Sequence, residues 1–309
     1  MGKIAFVFPG QGAQYIGMGK EFYDKEPVAK AVFDKASEVT GLDIPKLCFE
    51  ENDQLNITEY TQIAMLATEV AICRVLEQNG LKPDVTAGLS LGEYGAIVDS
   101  GVMSEEDAFK VIRQRGIFMQ EAVPTGGAMA AVLGLPNDVI ERICEETEGT
   151  VSIANYNCPG QTVITGIRTA VEKASGALKE AGAKRVLPLN VSGPFHSPLL
   201  SSAGEKLEQV LEEVTLHDFT IPYVCNLTAD YVTDVDKVKF LLKMQVSSPV
   251  KWQQSVEKML AEGVDTFVEV GPGKTLSGFV RKINREAKVF NVDKYEDLQT
   301  CVGALKAFE

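Results

Sequence analysis

The 309-residue chain is poor in positive charge, with 30 lysines and arginines against 43 aspartates and glutamates, a net −13. Its sequence pI is near 4.8. Such a balance argues against general nucleic-acid binding and against a surface that clings to anionic membranes, so an anionic partner would need a local basic patch. Histidine is scarce, with two in all, His196 and His217. The six cysteines, at 48, 73, 144, 158, 225 and 301, form no C-x-x-C pair and no metal-ligand spacing with the histidines. No metal site is expected, and the thiols suit a reduced, cytoplasmic protein. Long apolar runs are missing too: IAFVFP near the start is too short for a signal segment or a membrane span and fits a first buried strand. No repeat of 20 to 50 residues and no low-complexity tract is present.

What remains is an ordinary globular composition, 45% hydrophobic, in a chain long enough for a large domain plus a smaller one. KIAFVF (3–8) ends at Pro9-Gly10 and reads as a buried parallel strand, and DVTAGL and DTFVEV (265–270) read as two more core strands. Between Glu59 and Asn79 the residues Ile63, Leu66, Ala67, Val70 and Leu76 fall on one helical face, with Gly80 placed to stop the helix. From Gly126 to Val191 the pattern becomes strand, helix, strand, turn at Cys158-Pro159-Gly160, strand, helix, strand. That β-α-β-β-α-β order is the order of a ferredoxin-like unit. The expected architecture is therefore α/β: a discontinuous large subdomain with a parallel sheet (1–125 and 191–309) and an inserted ferredoxin-like small subdomain (126–190).

Gly88-Leu89-Ser90-Leu91-Gly92 fits G-x-S-x-G between a strand and a helix, the setting in which the motif lifts a serine clear of a sharp turn. The same residues also fit a Gly-Ser turn capping a helix. A nucleophilic serine needs a base. His217 ends a charged helical stretch and suits a surface or capping role, whereas His196, in the Gly/Pro/Ser-rich SGPFHSP, lies where the chain returns from the small subdomain. In FPGQGAQYIGMG the dinucleotide frame G-x-G-x-x-G fails at Tyr15. This loop either supplies backbone amides to an oxyanion or merely connects. Arg115, in an otherwise amphipathic helix beside Gly116, is ordinarily an exposed residue, Asn155 and Asn157 could serve a turn, and Gln245 could end a helix.

Taken together, FPGQGAQ, GLSLGEY, RGIFMQEAVP, NYNCPGQTVITG, GPFH, QVSSPVKW and VEVGPGKTL, in order from Phe8 to Leu276, resemble the malonyl-CoA:acyl carrier protein transacylases of fatty-acid synthesis. The resemblance implies an α/β-hydrolase-like large subdomain with the ferredoxin-like insert. It implies Ser90 as the acylated nucleophile, His196 as its base oriented by the backbone carbonyl of Gln245, and the amides of Gln11 and Leu91 as the oxyanion hole. It further implies Arg115 as the group that binds the malonyl carboxylate, with Gln245, Asn155, Asn157 and Phe195 beside the substrate. Phe195 and Leu91 look like the malonyl-selecting forms of their motifs. One residue departs from the pattern: the elbow usually reads GHSLGE, and Leu89 stands where that histidine would be, which puts the packing and hydrogen bonding behind the nucleophile in question.

The implied reaction moves a malonyl group from malonyl-CoA to the phosphopantetheine thiol of acyl carrier protein through malonyl-serine, with no bound cofactor or metal. A monomer in the cytoplasm is expected, with malonyl-CoA and transiently bound acyl carrier protein as its partners and neither nucleic acid nor membrane. Lys274, Arg281, Lys282 and Arg285 form the densest basic cluster, either a carrier-protein docking patch or cations complementing a helix end. The alternatives are an acyltransferase for another extender unit, a serine esterase or thioesterase, and a non-catalytic carrier-binding module. Fatty-acid and polyketide pathways are not distinguished.

Overall fold

The computed structural model describes residues 2–191 and 193–306. Residues 1, 192 and 307–309, all within the expected large subdomain, lie outside them. Nine strands are found among the described residues: β1 (Lys3–Phe8), β2 (Val85–Gly88), β3 (Gly127–Leu133), β4 (Val151–Cys158), β5 (Gln161–Ile167), β6 (Arg185–Pro188), β7 (Tyr223–Val224), β8 (Val264–Val270) and β9 (Lys288–Val292). They form two sheets. One has the order β7-β2-β1-β8-β9 and is parallel throughout; the other, β4-β5-β3-β6, is antiparallel throughout.

The central strand β1 shows why its sequence is an almost unbroken apolar run. Successive side chains point to opposite faces of a sheet. Ile4, Phe6 and Phe8 enter the larger core, while Ala5 and Val7 enter a second core with Trp252, Val256 and Met259. Helices thus cover both faces from Ile4 to Phe8, and only Lys3, at the strand's start, is polar and exposed.

Helix Thr58–Gln78 crosses the larger core. The single apolar face expected for it is too narrow a description. Gln62, Thr68 and Glu69 are buried along with Ile63, Leu66 and Val70, because helices Pro27–Thr40, Gly92–Asp99 and Glu105–Ala122 all pack against it.

The antiparallel sheet arises from the order β3, helix Asn137–Glu146, β4, β5, helix Arg168–Glu180, β6. It has its own core on the helix side, where Val132, Ile140, Ile153, Ile164 and Ala174 meet. Met129, one residue out of phase on β3, joins the larger core instead. The antiparallel sheet is tied at Val250, a residue of the core behind the parallel sheet: Tyr156 N–H donates to Val250 O (2.9 Å) and Val250 N–H to Ala154 O (2.8 Å). A cleft of about 280 Å³ opens between the two sheets.

Candidate active site

Ser90 follows β2 and precedes helix Gly92–Asp99. Its φ of +57° is a left-handed conformation that costs a residue with a side chain about 1–3 kcal/mol. Glycine at 88 and 92 makes so tight a turn possible: a Cβ on Gly88 would fall on the backbone of Gly92, and one on Gly92 on the carbonyl of Phe8. Asn226, just beyond β7, clamps the turn from behind. Its Oδ1 accepts from Ser90 N–H (2.7 Å) and its Nδ2 donates to Gly88 O (2.6 Å).

His196 sits in the loop after β6 with φ +59° and is buried. Its Nε2 is 2.8 Å from Ser90 Oγ, and its Nδ1 is 3.0 Å from the backbone oxygen of Gln245. A carbonyl can only accept, so Nδ1 carries the proton and Nε2 is left to accept from the serine. Gln245 is the last residue of helix Val238–Gln245, where backbone oxygens lack helical partners. Burial lowers the imidazole pKa to about 4; the charge of Arg115 pushes the same way and the bond to Gln245 opposes it. The imidazole is therefore neutral at physiological pH. His217 is exposed and is not part of this arrangement.

Arg115 is not the exposed helical arginine that its sequence surroundings favour: it is 1% exposed. Next to it, Gly116 lets two helices come together, since a Cβ there would meet the backbone of Glu59 at 2.9 Å. Arg115 Nη1 donates to Gln62 Oε1 (2.7 Å), and Nη2 donates to Gln245 Oε1 (2.9 Å) and Ser90 Oγ (3.1 Å). Burial pulls its pKa down, with Tyr94 and Glu93 opposing, yet a guanidinium stays charged.

Three residues of this network escape the sequence reading: Gln62, Asn226 and Glu93. Glu93 Oε2 accepts from Gln245 Nε2 (2.6 Å) and Asn226 N–H (3.1 Å), while Gln245 Nε2 also donates to Ser90 O (3.0 Å). Of the three, Glu93 alone had a visible cue, its place inside GLSLGEY.

The other expected residues line the cleft: Gln11, Leu91, Asn155, Asn157 and Phe195. Neither Gln11 N–H nor Leu91 N–H donates to a protein acceptor among the described residues. Asn155 and Asn157 lie in β4 and serve no turn; the Oδ1 of Asn157 is buried without a protein partner. Lys274, Arg281, Lys282 and Arg285 are exposed in and around helix Thr275–Ile283, which lends Leu276 and Phe279 to the cleft. Lys282 Nζ donates to Gln161 Oε1 (3.1 Å), and Arg281 Nη2 to Val289 O (3.1 Å).

Outside this set, Cys73, Glu77 and Asp99 bring one potential metal-ligand atom each within 4.8 Å of one another. Burial raises the pKa of the Cys73 thiol and moves that of Asp99 to about 7. A protonated thiol is a poor ligand.

A serine on a strand-to-helix turn, bonded to an imidazole fixed in its accepting tautomer, is the arrangement of enzymes that carry an acyl group on serine. A buried cation touches the same hydroxyl, a donor suited to a carboxylate. The chain belongs to the acyl transferase domain family, whose model matches residues 5–304, and within it to the malonyl CoA-acyl carrier protein transacylases. It is 47% identical to the transacylase of that name from Bacillus subtilis (strain 168), over 99% of this chain and 98% of the relative. It is 40% identical to that of Staphylococcus aureus (strain MW2), over 97% and 98%. Among solved structures, the Clostridium perfringens malonyl CoA-acyl carrier protein transacylase superposes with a TM-score of 0.96 at 44% identity, covering 99% of this chain and 98% of that one. A malonyl-transacylase in complex with its type II PKS acyl-carrier protein superposes at 0.95 with 40% identity, over 98% and 99%.

Proposed function

We propose that this chain transfers the malonyl group of malonyl-CoA to the phosphopantetheine thiol of acyl carrier protein through a malonyl ester on Ser90, in the cytoplasm and as a monomer. The observation that carries this reading is the pair of contacts on one oxygen: Ser90 Oγ has His196 Nε2 at 2.8 Å and Arg115 Nη2 at 3.1 Å. The first makes it a nucleophile, and the second selects an acyl group ending in a carboxylate.

In the first half-reaction His196 Nε2 takes the hydroxyl proton as Oγ attacks the thioester carbonyl. The amides of Gln11 and Leu91 receive the oxyanion. Collapse breaks the carbon–sulfur bond, and CoA leaves with the proton from His196. In the second, the carrier-protein thiol gives its proton to His196 and attacks the malonyl ester, and collapse returns the proton to Ser90 Oγ. Protein groups supply every step, so the chemistry asks for no resident cofactor. The Gln245 carbonyl replaces the carboxylate that usually orients such a histidine. The cleft-lining Asn155, Asn157 and Phe195 are read as contacts of the incoming thioester arm. Lys274, Arg281, Lys282 and Arg285, on the helix that borders the cleft, are read as the docking patch for an acidic carrier protein.

The strand order β4-β5-β3-β6 with antiparallel neighbours supports reading 126–190 as a ferredoxin-like insert in an α/β-hydrolase-like body formed by 1–125 and 191–309. The test of function is intact mass after mixing with malonyl-CoA. A malonyl adduct that is lost in Ser90→Ala and discharged by holo acyl carrier protein supports transfer. Discharge to water alone would make the protein a hydrolase, and no adduct would leave a carrier-binding module.

A further inference from the structure

Arg115 holds a full positive charge almost out of reach of water, at 1% exposure. Every partner its fork reaches is neutral: the side-chain oxygens of Gln62 and Gln245 and the Ser90 hydroxyl. Its Nε is buried with no protein partner among the described residues. Buried charges are tolerated when an opposite charge is near. The opposite charge here is one side chain removed. Glu93, also 1% exposed, accepts from Gln245 Nε2 (2.6 Å), and Oε1 of that same amide accepts from Arg115 Nη2 (2.9 Å). The amide lies head to tail between carboxylate and guanidinium, so each end polarises it in the same sense.

A direct salt bridge would fill the fork that a substrate carboxylate needs. An amide spacer supplies counter-charge through a neutral oxygen, so that every acceptor on the guanidinium is uncharged and Nε–H is left without one among the described residues. Resting on the reading of Arg115 as the carboxylate-binding residue, we propose that Glu93, acting across the side-chain amide of Gln245, is the counter-charge of Arg115 and limits how tightly the site holds the substrate's carboxylate. Glu93 touches no reacting atom; it is a positioning residue. With the substrate seated, two anions share one cation, and an ionised Glu93 weakens the second contact. The malonyl group must be bound and then handed on, and a moderated grip suits both steps.

Glu93 also has the means to respond. Burial raises its pKa to about 7, against the pull of Gln245, the Asn226 N–H and Arg115. The titratable groups around it do not change charge near neutrality: Tyr94, Tyr223 and Cys225 are pushed up and stay protonated, and His196 is held down at about 4. By linkage, carboxylate binding at Arg115 takes up a proton at Glu93, and lower pH tightens malonyl binding.

The test uses Ser90→Ala, which cannot be acylated, titrated calorimetrically with malonyl-CoA and acetyl-CoA. Acetyl-CoA carries the same CoA phosphates and cancels their titration. Between about pH 6 and about pH 8.5 the affinity for malonyl-CoA relative to acetyl-CoA should fall about tenfold, an ordinary size for coupling between two groups. Adding Glu93→Gln keeps an oxygen acceptor for Gln245 and Asn226 and removes the charge. The double variant should bind malonyl-CoA at the higher pH as tightly as Ser90→Ala does at the lower. A flat ratio in Ser90→Ala alone overturns the inference, whether or not the second variant folds, and so does an unchanged pH dependence in the double variant. If Ser90→Ala prefers malonyl-CoA to acetyl-CoA at neither pH, the reading of Arg115 itself has failed, and the inference falls with it.

Discussion

Replacing Asn226 with alanine should loosen the turn that presents Ser90. Two groups would lose their partner at once, the Ser90 N–H (2.7 Å) and the Gly88 carbonyl (2.6 Å). Asn226 is 1% exposed, so water is poorly placed to replace it. Each orphaned buried group costs about 1–3 kcal/mol. The left-handed backbone of Ser90 stores about another 1–3 kcal/mol that the clamp would no longer oppose. The cheapest response is for the turn to relax and carry Ser90 Oγ away from His196, so activity should suffer more than the fold. Denaturant unfolding should show a loss of about 2–4 kcal/mol. Single-turnover acylation by malonyl-CoA should drop about a hundredfold, the usual cost of misplacing a reacting atom by about 1 Å. A variant that acylates at the wild-type rate and loses under about 0.5 kcal/mol would show that the turn holds its strain without the asparagine.

Arg115→Ala should slow malonyl acylation by about 2–5 kcal/mol in transition-state terms while transfer from acetyl-CoA holds or rises; a parallel loss of both would make the residue a support of the fold. With malonyl-CoA saturating, the acylation rate should stay flat through neutrality and fall in acid with a midpoint near 4, because His196 is protonated only there. The sign follows from a folded pKa below the ordinary 6.5, which keeps the base neutral further into acid, and a midpoint at the ordinary value would mean that the imidazole is solvated. Charge reversal at Arg281 and Arg285 should raise KM for carrier protein and leave KM for malonyl-CoA unchanged, and the opposite pattern would place docking elsewhere.

The parts of the site that local backbone geometry dictates were legible in the sequence. Glycines at 88 and 92 are demanded by the turn itself, and β1, β2 and β8 announce themselves as apolar runs because they are covered on both faces. The strand β7 did not, being two residues long, nor did β9, an edge strand buried throughout only at Val292. Arg115 illustrates a different limit. It falls on the buried face of its helix with Val111, Ile112 and Met119, and its partners Gln62 and Gln245 lie on other helices; only the resemblance of the surrounding motif pointed to it. Asn226 stands 136 residues from the serine it clamps, and no periodicity reports a contact of that kind.

Leu89 bears on this network because a histidine is the usual residue before such a serine. Its side chain lines the cleft and packs toward the second core, close enough to Gly10 that a Cβ there would meet Leu89 Cδ2 at 2.8 Å. Its backbone keeps the turn's own bonds, donating to Phe8 O (3.0 Å) and accepting from Gly92 N–H (3.1 Å). The bonds that fix Ser90 come instead from Asn226 and Gln245, both held by Glu93. An apolar side chain at 89 therefore cuts none of them. It also leaves His196 as the one imidazole at the serine, since His217 is exposed. An acid limb in the acylation rate thus has a single histidine to which it can belong, and the charge that adds to burial in holding that histidine's pKa down is the same Arg115 that Glu93 balances from behind.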